Sequence, residues 1–246
     1  MTQKDHMAFL NSDDFSFSSL EQQLSKALSF GYKFLTCHDY FLDQVSKIDL
    51  TIVNRVDVDF SLRRAEILAE IFKKIGIRGT FFIRMHAPEY NPFSFDGFRI
   101  IKKIIENGNE IGLHTEVIDQ SRIWNIPASE ALRKDIDIFQ KMFDVKLQGC
   151  ACHGGITGNN NLDFFGENEV ESFGLKYEAY GKIGRQNLFE NSLYVSDSEW
   201  HKWKCFLNGD LLQGNQKSLG EHIENYPKLI YLLTHPDCHY VNNIYE

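Results

Sequence analysis

Six apolar stretches of this 246-residue chain run directly into ionisable residues. Thr51–Val56 leads to Asp57 and Asp59, Thr80–Ile83 to Arg84, and Glu110–Leu113 to His114 and Glu116. Gln148–Cys152 leads to His153, Leu193–Ser196 to Asp197, and Ile230–Thr234 to His235. Asp57 and Asp59 are two positions apart, so on a strand both side chains leave the same face while Val56 and Val58 leave the other. Two carboxylates that close repel unless a cation or a shared proton intervenes, which suggests one as a metal ligand and the other as a proton acceptor. Each histidine alone is weak evidence, since strand-end histidines are commonly structural. A carboxylate converging with imidazoles, however, matches the oxygen and nitrogen ligands of Zn²⁺ or another divalent transition metal, with positions left for water and substrate.

The elements that must bring these tips together alternate in type. Leu20, Leu24, Ala27 and Leu28 recur at helical spacing after a Ser18-x-x-Glu21 capping pattern and stop at Gly31, and a short strand follows over 32–36. The β-branched run 51–60 predicts a strand, 62–75 a helix ended by Gly76, 78–84 a strand, and 95–107 a helix closed by Gly108. Then come a strand over 109–115, a helix over 127–143 opened by Pro127, and a strand over 147–153. Beyond Gly154 the pattern is less regular, with strands expected over 176–181, 191–197 and 228–235 and a weaker helix over 215–226. Strands alternating with helices of this length argue for an α/β fold with a parallel sheet curled into a complete or incomplete barrel, an open doubly wound sheet being the runner-up. In either architecture the C-terminal strand tips share one face, where active sites form.

Composition bounds the rest. With 43% hydrophobic residues, 5 Pro and 17 Gly, the chain is neither disordered nor collagen-like. No linker, repeat or low-complexity block marks a boundary, so one domain over 1–246 is expected, with about residues 1–17 as a loose segment. The 26 Lys and Arg against 34 Asp and Glu give a net charge of −8 without a basic patch, which argues against nucleic acid and anionic membrane as partners. No apolar run approaches the roughly 18 residues of a membrane span, and no secretory signal pattern opens the chain. Five cysteines, an odd number, fit a reducing compartment. A cytoplasmic protein is expected; the oligomeric state is left open.

At these residues the chain resembles the polysaccharide deacetylase superfamily, the NodB-homology or carbohydrate esterase family 4 group. Arg55–Asp59 resembles its first motif, Gly79–Phe82 the strand after it, Glu110–His114 its second motif and Leu232–His235 its last. More narrowly, 31–35, Tyr90–Phe93, Tyr194–Ser198 with Trp200 and Trp203, and Thr234–Pro236 resemble deacetylase-like proteins of bacterial O-antigen and other surface-polysaccharide clusters. The resemblance covers about residues 18–240. It implies a distorted (β/α)₇ barrel, Asp57 as general base, Asp59 and His114 as metal ligands, and His235 as general acid. It also departs from the family: where members place a second metal-binding histidine, four residues after the first, this chain has Ile118. His153 is expected to replace it, with Glu116 or Asp119 as second choices, and Arg84 or Arg55 is expected to steady the base.

The implied activity is metal-dependent removal of an N-acetyl group from a sugar or saccharide precursor. Tyr90, Phe93, Tyr194, Trp200 and Trp203 are candidates to stack on a sugar ring, with Arg84 and Asp197 binding or orienting substrate. Competing readings are a degenerate saccharide-binding module without turnover and an amidohydrolase of a small ureide or cyclic amide. A Mn²⁺-dependent glycosyltransferase using the Asp57-x-Asp59 pair lacks a nucleotide loop, and a non-haem iron oxygenase usually occupies another fold.

Overall fold

In the computed structural model, which describes residues 14–42, 49–181 and 187–243, ten strands form one sheet. They are β1 (Lys33–Leu35), β2 (Thr51–Val58), β3 (Thr80–Arg84), β4 (Glu110–Thr115), β5 (Gly149–Cys152), β6 (Tyr177–Glu178), β7 (Leu193–Ser196), β8 (Lys204–Leu207), β9 (Asp210–Leu211) and β10 (Leu229–Thr234). The order β6-β5-β4-β3-β2-β10-β7 is parallel throughout, and β8 and β9 continue it antiparallel. β1 pairs with Thr51–Val53 of β2, before β3 begins pairing at Arg55. β6 and β7 end the parallel run without pairing to each other, so this α/β sheet is an incomplete barrel.

Strand periodicity divides the side chains between two cores. Ile52, Val56 and Val58 of β2, Phe81 and Ile83 of β3, Ile111 and Leu113 of β4, and Ile230 and Leu232 of β10 face outward. There they meet Leu68 and Phe72 of the helix Leu62–Ile75, Ile101 and Ile104 of Phe95–Glu106, and Phe139 of Ala128–Phe143. The alternate residues Val53, Phe82, Ala151, Tyr194, Tyr231 and Leu233 fill a second, inner cluster. Gly112 is required in that interior, because a Cβ there would lie 2.5 Å from the Phe82 ring. The inner cluster is built mainly from the strands themselves, joined by Cys37 and Leu188 of two short helices, Cys37–Leu42 and Leu188–Asn191, whereas a doubly wound sheet has both faces covered by helices.

Several boundaries differ from the sequence reading. The first helix, Phe17–Ser29, starts before the expected capping box because Ser16, not Ser18, accepts from the Ser19 N–H. The expectation of a loose segment fails for 14–17: Phe15 is buried and stacks on Trp203, and Ser16 bridges to Tyr240. Residues 1–13 lie outside the described residues. The strand over 176–181 shrinks to two residues, and the helix over 215–226 to Leu219–His222 followed by a 3₁₀ turn, Ile223–Asn225. The helices Cys37–Leu42 and Val117–Trp124 and the β8–β9 hairpin were not anticipated. No helix among the described residues is long and apolar enough to cross a membrane.

Candidate functional site

The parallel register sets the ionisable tips side by side. Asp57 is level with Phe82, Arg84 with His114, and His114 with Ala151, while β10 runs beside β2 up to Val56. Asp59, Glu116, His153, Asp197 and His235 follow directly beyond their strands on the same C-terminal face. Parallel pairing thereby does what the chain's linear order does not: it gathers residues separated by up to 176 positions.

His114 is the common neighbour. Its Nε2 lies 3.2 Å from Asp59 Oδ1 and 3.4 Å from Asp57 Oδ2. Its Nδ1 is 3.0 Å from the Ala151 carbonyl, which only accepts, so Nδ1 carries a proton and donates it. In the neutral ring, Nε2 therefore presents a lone pair to two carboxylates, and Asp59 Oδ1 is buried with no hydrogen-bond partner among the described residues. Both atoms require a proton or a cation between them. Burial works to lower His114, but the Asp57 and Asp59 charges outweigh it and raise its pKa. A divalent ion fits the same pair of atoms: oxygen and imidazole donors, with the outer ring nitrogen anchored on a backbone carbonyl.

Asp57 is held differently. Arg55, on the same face of β2, donates from Nε to Oδ1 at 2.8 Å and from Nη2 to Oδ2 at 2.7 Å, and the guanidinium lies 4.2 Å from the Tyr180 ring centre. Arg55 Nη1 also donates to the Tyr231 hydroxyl. Burial would raise the Asp57 carboxyl, but Arg55 and then His114 hold it below the usual range, so it is ionised. Of the two arginines expected to steady the base, Arg55 is the one that reaches it. Arg84 instead pairs with Glu116 at 2.7 Å and donates to the Asp59 backbone carbonyl. Tyr90 braces the same corner, donating to the Val58 carbonyl and accepting from the Arg84 N–H. Its hydroxyl thus joins the ends of β2 and β3.

On the opposite side His235 Nδ1 lies 2.6 Å from Asp197 Oδ1, and its Nε2 points to Asp59 Oδ2 at 3.9 Å. Asp197 is wholly buried and also accepts from the His235 N–H and from His239 Nε2 at 3.0 Å. Burial alone would lower His235; Asp197, and behind it Asp59 and Asp57, raise it to about 9. The ring is therefore protonated at neutral pH. Sequence reasoning missed His239, which the 3₁₀ turn Pro236–Cys238 brings back to Asp197. It also missed Asp237, whose carboxyl caps the Phe60 N–H and is pushed up to about 6 by burial and then, against that hydrogen bond, by Asp59. Asp197, His235 and Cys238 form a group of ligand atoms within 4.8 Å of one another. It is a hydrogen-bond cluster: both Asp197 oxygens are engaged, and burial keeps the Cys238 thiol protonated.

The expected third ligand, His153, stands apart from the Asp59–His114 pair. His153 stands edge-on to His114, ring centres 5.1 Å apart, with Nδ1 3.4 Å from Glu116 Oε1 and without a hydrogen bond. Its ligand atoms do not join those of Asp59 and His114 in a group within 4.8 Å. Asp119 is committed elsewhere: it accepts from the Thr157 hydroxyl and N–H, the Ile156 N–H and Asn161 Nδ2, and so ties down the loop after His153. Glu116 is lowered to about 2, its burial being outweighed by the nearby His153 and by the paired Arg84. Among the aromatic candidates, Trp203 and Tyr194 are buried core residues, and Trp200 is exposed and stacked on Phe60.

No protein-family profile matches this chain, and no curated protein does. The chain is similar to solved structures that include a CE4 family pseudoenzyme from Bacillus anthracis, at 14% identity over 78% of this chain and 56% of that one, with a TM-score of 0.45. The deacetylase PplD of Streptococcus pyogenes, in complex with acetate, matches at 14% identity over 61% and 67% of the two chains, TM-score 0.40. A mutant of the peptidoglycan deacetylase PdaC from Bacillus subtilis matches at 18% identity over 78% and 77%, TM-score 0.41. This chain spans little more than half the length of the first, and of these three structures two are named as deacetylases and one as a pseudoenzyme.

Proposed function

We propose that this chain is a divalent-metal-dependent hydrolase that removes an N-acetyl group from a sugar or sugar precursor, in the assembly of a bacterial surface polysaccharide. The observation that carries the reading is the placement of an ionised carboxylate, Asp57, and a protonated imidazole, His235, on either side of the Asp59–His114 pair. Asp59 and His114 would hold the ion, with His153 the candidate to complete the set. When bound, Zn²⁺ or a similar ion polarises an acyl oxygen and lowers the pKa of water toward about 7. Asp57, kept ionised by Arg55, takes the proton from the attacking water as its oxygen bonds to the acetyl carbon. His235, charged by Asp197, gives its proton to the amine nitrogen as the C–N bond breaks. Acid assistance is needed there because an unprotonated amide nitrogen is a poor leaving group.

Metal analysis of the purified protein, with acetate release from a panel of N-acetylated sugars and nucleotide sugars, tests the proposal. Stoichiometric divalent metal with metal-dependent acetate release is expected. A second reading, a saccharide-binding module without turnover, is favoured by the separation of His153 from the Asp59–His114 pair. Absence of both metal and acetate, with saccharide binding retained, would replace the first reading by the second.

A further inference from the structure

His239 lies one short turn beyond the tip of β10 and is 1% exposed. Three aromatic rings surround its own: Phe15 with centres 5.6 Å apart, Phe17 at 5.8 Å and Trp203 at 6.5 Å. The residue after it is tied to the other end of the chain. Tyr240 donates its N–H to the Phe15 carbonyl and accepts from the Phe17 N–H, a parallel bridge centred on Ser16, and its hydroxyl donates to Asp14. On the other side the 3₁₀ turn Pro236–Cys238 holds the His239 N–H on the Pro236 carbonyl. Backbone and ring are therefore set from both sides, by segments at opposite ends of the sequence.

The hydrogen bond that this ring makes among the described residues is to Asp197. Nε2 lies 3.0 Å from Asp197 Oδ2, and a carboxylate oxygen accepts, so Nε2 carries the proton. The other donors to that carboxylate belong to one residue: the His235 N–H reaches both oxygens, at 3.0 and 2.9 Å, and His235 Nδ1 reaches Oδ1 at 2.6 Å. A backbone donor shared by two oxygens does not choose between them, so a carboxylate held by His235 alone is free to turn about its Cβ–Cγ bond. A separate donor on Oδ2 stops that turn. It keeps Oδ1 in line with His235 Nδ1, and the His235 ring then stays aimed with Nε2 toward Asp59. Fixing the carboxylate during folding removes that reorganisation from the proton-transfer step.

We propose that His239 is a positioning residue: it holds Asp197 so that His235 keeps the orientation from which it delivers its proton. The segment that opens the described chain acts through it, although 226 positions separate Asp14 from Tyr240. The part that His239 plays in turnover rests on the proposed function; the alignment of Asp197 with His235 does not.

Two substitutions separate holding Asp197 from filling the aromatic cluster. His239→Phe keeps a ring against Phe15 and Phe17 and deletes the donor, whereas His239→Gln keeps an amide donor and deletes the ring. A downfield proton NMR resonance present in the wild type and absent in His235→Gln reports the short bond from His235 Nδ1 to Asp197. It is expected to persist in His239→Gln and to shift or vanish in His239→Phe, with circular dichroism verifying that each variant is folded. In acetate release from the N-acetylated sugars named above, kcat is expected to fall about tenfold in His239→Phe, with KM within about twofold of wild type, and to stay within about threefold of wild type in His239→Gln. The reverse ranking, a folded His239→Gln that loses the resonance, an unaltered resonance in both variants, or its absence from the wild type would overturn the role of His239. A resonance that follows the expected order in a protein that releases acetate from none of the sugars would overturn the hydrolase reading and leave the alignment by His239 standing.

Discussion

The two sides of the candidate centre are built on opposite terms. Toward β2, β7 and β10, the charged groups are matched, Asp57 by two hydrogen bonds from Arg55 and His235 Nδ1 and His239 Nε2 by Asp197, with His239 Nδ1 the one atom of these groups left without a partner among the described residues. Toward β3, β4 and β5, Arg84 Nε, Glu116 Oε2 and His153 Nδ1 are buried without partners among the described residues, as is Asp59 Oδ1 between the two sides. Matched charges in a buried site are preorganised, so a proton can be taken or given with little rearrangement. Unmatched ones are tolerated only where a ligand, ion or water completes them. The first side is thus fitted to proton transfer, and the second to holding something the protein itself does not provide.

Removing a matched group should therefore have the largest consequences. Asp57→Asn deletes the proton acceptor and leaves the wholly buried Arg55 cation without its counter-charge. Acetate release is expected to fall by about 10²- to 10⁴-fold, and urea denaturation should show stability lower by about 3 kcal/mol. Metal content, read by elemental analysis, should stay at the wild-type level because Asp59 and His114 are untouched. Full activity in this variant would remove Asp57 from the mechanism. Asp197→Asn should rank next. It retains most of the geometry around His235 but withdraws the charge that keeps the ring protonated, and kcat is expected to fall about 10²-fold with KM little changed. A matching rise in KM with kcat preserved would make Asp197 a substrate-binding residue, not one that tunes the acid.

The unmatched side is broken more gently. His153→Ala keeps both backbone contacts of that residue, from its N–H to the Thr115 carbonyl and from Asn161 to its own carbonyl. It discards an imidazole nitrogen that has no hydrogen bond, so stability without metal should stay within about 0.5 kcal/mol of wild type. Metal affinity, measured by competition with a chelator, is expected to drop about 10- to 100-fold. Unchanged affinity would show that Asp59 and His114 hold the ion without help from β5.

Much of the site's layout could be read from the sequence, because strand periodicity and apolar runs announce where a strand ends and which residues share its face. Asp57, Asp59, His114 and His235 lie where that logic puts them. What escaped notice depends on partners distant in the chain. Arg55 was one of the two arginines expected to steady the base, but nothing in Asn-Arg-Val shows that it does so from a pocket against the Tyr180 and Tyr231 rings. His239 reaches Asp197 only through the 3₁₀ turn after Pro236. Trp203 was a candidate for a sugar ring because it lies near a strand tip, yet it stacks on Phe15 in a segment taken as loose. Asp119 resembled a ligand by spacing, whereas it serves as the anchor for a glycine-rich loop whose Gly155 leaves no room for a Cβ beneath the Asn159 carbonyl.

The contrast between matched and unmatched burial extends beyond the site, to two histidines of opposite behaviour. His235 is buried beside a carboxylate and is raised to about 9; His222 is buried with its Nε2 against the Cys205 thiol at 3.2 Å, and burial, followed by Lys217, pushes it down to about 4. An unfolded histidine titrates near 6.5, so between about pH 6.5 and 4 the unfolded chain binds a proton at this position that the folded chain refuses. The associated stability is fully present above about pH 6.5 and is lost as the pH falls toward 4. Urea midpoints for wild type and His222→Gln at pH 7 and pH 5 isolate the effect from the other titrating groups. The wild type should lose about 2 kcal/mol more than the variant over that interval. Equal losses would mean that His222 is protonated as easily in the fold as in water, and that burial without a counter-charge does not carry the penalty on which the contrast between the two sides of the site depends.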